Sequence, residues 1–168
     1  MTTSISIRID QKLYEQARAE ALAEHRTIAG QVEYWAKVGR AALDNPDLPV
    51  GFIAESLASM AEPREDATLF VPPQGMSYGL KQTRRFARAY KKLHDNVAAD
   101  VDAATEVIAA DPNVGERKKG DLADLFVYKF RSQNQLYLLG YTVDHEVRLI
   151  YLEAVGPHEN FYRDLKRS

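Results

Sequence analysis

The chain begins with a strict alternation. Ile5, Ile7 and Ile9 face one way and Ser4, Ser6 and Arg8 the other, which is the period of a strand covered on one side. A lone strand leaves its amides and carbonyls unpaired, so this one requires a partner. The period then lengthens. Asp10 is placed to cap a helix over about 11–24, with Leu13, Ala17 and Ala21 as its apolar stripe and Leu22 beside it. Thr27 caps a second helix, in which Ile28, Val32, Trp35, Gly39 and Ala42 share one face. Asn45-Pro46-Asp47-Leu48-Pro49 stops that helix. A third, over about 50–60, carries Phe52, Ile53, Leu57 and Met60.

Pro72-Pro73-Gln74-Gly75-Met76 interrupts any regular element. The stretch before it, 62–75, is charged and proline-bearing with one apolar triplet, Leu69-Phe70-Val71. Such a tail has no core of its own and orders on a partner. Beyond the junction, Met76–Lys81 reads as an edge strand. Phe86, Tyr90 and Leu93 line one face of a helix over 84–94, ringed by Arg84, Arg85, Arg88, Lys91 and Lys92. Val97, Val101, Ala104 and Ile108 line a second over 96–110, which Asp111-Pro112-Asn113 ends, and the two predict an antiparallel helix hairpin. Gly115–Gly120 forms a basic loop. Strand patterns over about 125–131, 136–143 and 147–155, with turns at Gln133-Asn134 and Asp144-His145, predict an antiparallel meander, and 159–167 a final helical turn.

Charge sharpens the division at the junction. Residues 1–75 hold 7 Lys and Arg against 11 Asp and Glu, net −4; residues 76–168 hold 15 against 13, net +2. An acidic half and a basic half attract. The chain has no cysteine, which excludes disulfides, thiolate metal sites and a cysteine nucleophile. No histidine pair has metal-ligand spacing, and no cofactor is implied. Met1-Thr2-Thr3-Ser4 lacks a signal pattern and no apolar run is long enough to span a bilayer, so a cytoplasmic protein without membrane contact is expected.

A strand and two helices within so short a segment bury too little to stand alone. A dimer in which two strands pair and four helices interlock solves the problem. The Ser4-Ile5-Ser6-Ile7-Arg8-Ile9-Asp10 opening, the two helices and Trp35-Ala36-Lys37-Val38-Gly39-Arg40-Ala41-Ala42-Leu43 resemble the ParD-like antitoxins of the ribbon-helix-helix class. The resemblance implies a homodimer through the N-terminal strand that binds operator DNA. Its outward face, Ser4, Ser6 and Arg8 with Thr3, would read base edges, and the helix start at Thr27 would hold a phosphate. Leu69, Phe70 and Val71 would neutralise a toxin.

The later half resembles the RelE/ParE toxin superfamily. The resemblance is carried by the order helix hairpin, basic loop, meander and tail, by Phe126-Val127-Tyr128-Lys129-Phe130-Arg131-Ser132, and by Gly156-Pro157-His158-Glu159-Asn160-Phe161-Tyr162. The expected fold class is α+β: a strand-helix-helix antitoxin over 1–61, a toxin-binding tail and linker over 62–75, and a helix hairpin packed on an antiparallel meander over 76–168. Family members include ribosome-dependent mRNA endonucleases and gyrase inhibitors, and the shared fold does not choose between them.

RNA cleavage by the 2′-hydroxyl requires a base, an acid and positive charge for the developing phosphorane. Lys129 and Arg131 lie two apart and share a strand face, and His158 exchanges protons near neutral pH. The His158–Tyr162 spacing resembles the family's C-terminal pattern, so catalysis is expected from His158, Tyr162, Arg131 and Lys129. RNA binding is expected from Arg117, Lys118, Lys119 and Arg148. The chain departs from the best-equipped nucleases at Leu136-Tyr137-Leu138, where they carry a further arginine, and at Val127. Three readings follow: mRNA cleavage on the ribosome, gyrase inhibition without catalysis, and an inactive toxin serving as co-repressor.

Overall fold

In the computed structural model, which describes residues 3–159, the chain divides into two compact units, one ending at Gly39 and one beginning at Arg40. In the first, α1 spans Gln11–Ala23, and Asp10 accepts a hydrogen bond from the Leu13 amide at 3.2 Å as its cap. His25 is left-handed (φ 58°) and the Arg26 amide reaches back to Ala21 O at 2.8 Å, the turn that closes a helix end. Thr27 Oγ1 accepts from Gly30 N at 2.9 Å and starts α2, Ile28–Asp44. Ala17 and Ala21 of the expected stripe are buried, whereas Leu13 and Leu22 are exposed.

Residues 3–10 belong to no ladder. The strand expected over 3–9 is absent from the single chain, and Ile5 and Ile7 are 81% and 75% exposed. The physical reason is the one the alternation itself raised: no second strand is there to pair with.

The second unit is a six-stranded sheet ordered β1-β2-β6-β5-β4-β3. Its strands are β1 Thr68–Val71, β2 Gly79–Gln82, β3 Glu116–Arg117, β4 Phe126–Ser132, β5 Gln135–Asp144 and β6 Leu149–Pro157. The meander β4-β5-β6 is antiparallel. Its first turn is the expected Gln133-Asn134, both residues left-handed at φ 50° and 65°, as a two-residue hairpin requires. The second turn lies over residues 145–148, later than expected. Strand β2 pairs in parallel with β6 and is interior rather than an edge, because the tail strand β1 covers its outer side.

Both sheet faces are covered. The hairpin of α4, Arg84–Lys91, and α5, Asp95–Ala110, packs on one through Phe86, Val97, Val101 and Ile108 against Tyr137, Leu139, Tyr141, Ile150 and Leu152. Tyr141 is held rigidly there. Its hydroxyl donates to Pro112 O at 2.7 Å and accepts from Gly115 N at 3.0 Å. Burial, the largest effect, and nearby Asp111 raise its pKa, and the Gly115 amide only partly offsets them, leaving it at about 12. The alternate residues of β5, Leu138 and Gly140, face α3, Val50–Met60. Gly140 has no side chain because Phe52 of α3 sits against it: a Cβ there would meet the Phe52 ring at 2.9 Å. The helix expected to close the antitoxin half therefore forms a third layer on the toxin-like sheet.

Candidate functional site

The connection between α2 and α3 lies against the basic loop. Asn45 is buried and clamps it from both sides: its Nδ2 donates to Ala41 O at 3.0 Å and Lys119 O at 3.1 Å, and its Oδ1 accepts from Lys119 N at 2.9 Å. Arg40 grips Asp121 with both its Nε and a terminal nitrogen, at 2.7–3.0 Å. Leu48 and Pro49 are buried behind the turn. Asp47, between these anchors, is thereby aimed at the candidate catalytic groups.

Two of those groups, Lys129 and His158, meet there together with Lys118, a residue expected to bind RNA. Lys118 Nζ donates to Asp47 Oδ2 at 2.7 Å and to Glu116 Oε1 at 3.1 Å. Lys129 Nζ lies 3.8 Å from the same Asp47 oxygen. His158 Nε2 donates to the Asp47 backbone carbonyl at 3.2 Å, and because a carbonyl only accepts, Nε2 carries a proton. Burial pushes the Asp47 carboxyl up, but the hydrogen bond and charge of Lys118, a backbone amide and the charge of Lys129 outweigh it and hold the group below its ordinary range. Lys118 is the most enclosed of the cations, its side chain only 2% exposed. A basic loop residue expected to be free for RNA is thus buried and paired.

The other expected residues are placed less closely. Val127, Lys129 and Arg131 follow one another on one face of β4; Arg131 is exposed and has no ion pair among the described residues. Lys119 is exposed, and Arg117 turns away to donate to Ala123 O at 2.8 Å. Arg148 stands at the opposite end of β6 from His158, over the Tyr78 ring. Tyr162 and the expected helical turn beyond residue 159 lie outside the described residues. Thr3, Ser4, Ser6, Arg8 and Thr27 are all exposed. Among the described residues no cluster of His, Asp and Glu is arranged to hold a metal ion, and no helix is long and apolar enough to cross a membrane.

The tail is bound elsewhere on the sheet. A bulge between Leu69 and Val71 re-aims Phe70, whose ring meets Phe86 and Tyr90 edge-on at 6.0 and 5.3 Å, while Leu69 stays 58% exposed. Nearby, Glu153 is fully buried at a second bulge, where the β5–β6 ladder skips one residue. It accepts from Arg64 at 2.7 Å, Ser59 at 2.7 Å and Thr142 at 2.8 Å. Asn45, Asp47, Arg64 and Glu153 had no periodic signature. The one available signal was an acidic residue in a proline-bounded turn of the acidic half, opposite a basic loop.

Family models match the two halves in order. The model for the ParD-like antitoxin of type II bacterial toxin–antitoxin systems covers residues 4–74, and that for the ParE-like toxin of such systems covers residues 80–166. Among solved structures the chain is similar to a mutant of the E. coli toxin RelE in the free state, at 25% identity and TM-score 0.43, over 55% of this chain and 98% of that one. It is also similar to the Mycobacterium tuberculosis toxin–antitoxin complex RelBE2, at 25% identity and TM-score 0.43, over 48% and 98%. The intact E. coli RelBE complex aligns at 24% identity and TM-score 0.42, over 48% and 95%. Comparison with curated proteins returned no match. With an antitoxin model ending at residue 74, a toxin model beginning at residue 80, and α3 and β1 of the first half laid on the sheet of the second, the chain belongs to the ParE-like toxin family and is a fused type II toxin–antitoxin protein.

Proposed function

We propose that residues 76–168 are a toxin that cleaves mRNA on the ribosome, and that the antitoxin half restrains it. The antitoxin half pairs residues 3–9 with those of a second copy and presents Thr3, Ser4, Ser6 and Arg8 to operator DNA, with Thr27 at a backbone phosphate. The observation that carries the nuclease reading is the convergence of Lys118, Lys129 and a proton-bearing His158 Nε2 on one residue, Asp47. Two ammonium groups stabilise charge building on a phosphorus centre; His158, when doubly protonated, gives its Nε2 proton to the leaving 5′-oxygen, and water takes the proton that the attacking 2′-hydroxyl releases. Arg131, next along the same face of β4, extends the positive track, and Tyr162 completes the set. A surface that only binds gyrase has no need of a proton donor there.

The test adds residues 76–168 to a cell-free translation reaction and maps mRNA ends by primer extension. Ribosome-dependent cuts are expected, weakened roughly 100-fold or more by His158→Ala. Arrested growth with intact mRNA, unchanged by His158→Ala, would overturn the nuclease reading in favour of gyrase inhibition.

A further inference from the structure

We propose that the Asp47 carboxylate occupies the place of a substrate phosphodiester oxyanion, so that Lys118 and Lys129, with His158 beside them on the Asp47 backbone carbonyl, form an anion site that the chain keeps filled with its own side chain. The inference deepens the nuclease reading and rests on it for the identity of the anion as an RNA phosphate.

Three observations support it. First, two ammonium groups and an imidazole come from three separate places, the basic loop, β4 and the end of β6, yet all address one residue of the antitoxin half. A structural ion pair needs one partner; here one ammonium donates to the carboxylate, a second stands 3.8 Å from the same oxygen, and an imidazole holds the adjoining backbone carbonyl. Second, Lys118 is almost fully buried, and a buried ammonium requires a counter-charge. Within the toxin half its partner is Glu116, whose side chain is 63% exposed, so withdrawal of Asp47 leaves Lys118 and Lys129 to attract an anion from solution. Third, Asp47 is itself 40% exposed, so the site opens to solvent and a ligand can enter from the side where the carboxylate stands.

The Asn45 clamp and the Arg40–Asp121 grip hold the turn without help from the Asp47 charge. Removing that charge should therefore empty the anion site while the turn stays docked. Asp47→Asn keeps the shape and the backbone carbonyl that His158 uses.

The experiment measures binding of a short fluorescent single-stranded RNA to the full chain by anisotropy, with inorganic phosphate as competitor. Asp47→Asn should tighten binding roughly tenfold or more over the unsubstituted chain, and phosphate should reverse the gain. Adding Lys118→Met should abolish the gain. Asp121→Asn, which loosens the same dock elsewhere, should give none. Equal binding by Asp47→Asn and the unsubstituted chain would overturn the proposal, as would a gain that survives Lys118→Met or is matched by Asp121→Asn. The readout needs no cleavage: uncut mRNA together with the Asp47→Asn gain would refute the nuclease reading and leave the anion site standing.

Discussion

Two short segments of this chain ask for a strand partner, and only one has it. Residues 3–9 alternate cleanly and present Ile5 and Ile7 on one face, yet in the single chain they join no sheet. Leu69-Phe70-Val71 shows no alternation, follows a charged run and precedes two prolines, yet it forms β1 against β2. The difference teaches that pattern states what a strand would bury, whereas partnership decides whether it forms. The tail has an unpaired strand edge and an aromatic site supplied by the same chain. The N-terminal segment has no such edge among the described residues, and under the proposed function a second copy supplies it.

The comparison breaks most visibly at Ile7. Ile7→Asp places a charge on the face that two paired strands would bury; under the proposed pairing the unsubstituted chain should sediment as a dimer and the variant as a monomer, and a mass unchanged by the substitution would refute pairing through this strand. Next in size is Phe70→Ala. Loss of its ring from the Phe86–Tyr90 site should cost about 2–3 kcal/mol, below the value for a fully buried ring because its surroundings are partly open, and urea unfolding reads it. Sedimentation should not change, which separates the two strands' roles. Arg64→Met, which leaves buried Glu153 only hydroxyl donors, should cost about 2 kcal/mol in the same assay, discounted because Arg64 is itself one-third exposed. Leu69→Ala, one residue from Phe70 but on the open side of β1, should stay within about 0.5 kcal/mol.

Local physics was legible in the sequence where it was sufficient. Asp10 and Thr27 cap the helices expected of them, and Gln133-Asn134 makes the expected tight turn, because a cap or a two-residue hairpin is decided by neighbouring residues. Lys129 and Arg131 share a face because strand geometry allows nothing else. What sequence did not reveal depends on distant partners. The interior position of β2 follows from β1 covering its edge, and the burial of Lys118 follows from a turn some 70 positions earlier in the chain. Gly140 is the seat of Phe52, a residue of a helix far away in the chain. Asp47 sits in a loop, where no periodicity marks a side chain as aimed.

The exposed connection over residues 72–76, between β1 and β2, has a consequence for control. Two separate proteins part when they are diluted, but strands tied by a link this short see each other at an effective concentration on the order of millimolar at any dilution. Growth of the cell or slowed synthesis therefore does nothing to separate the antitoxin half from the toxin half here. A single backbone cut in that link would turn a permanent neighbour into an ordinary ligand, and restraint would then depend on how much of each piece the cell retains.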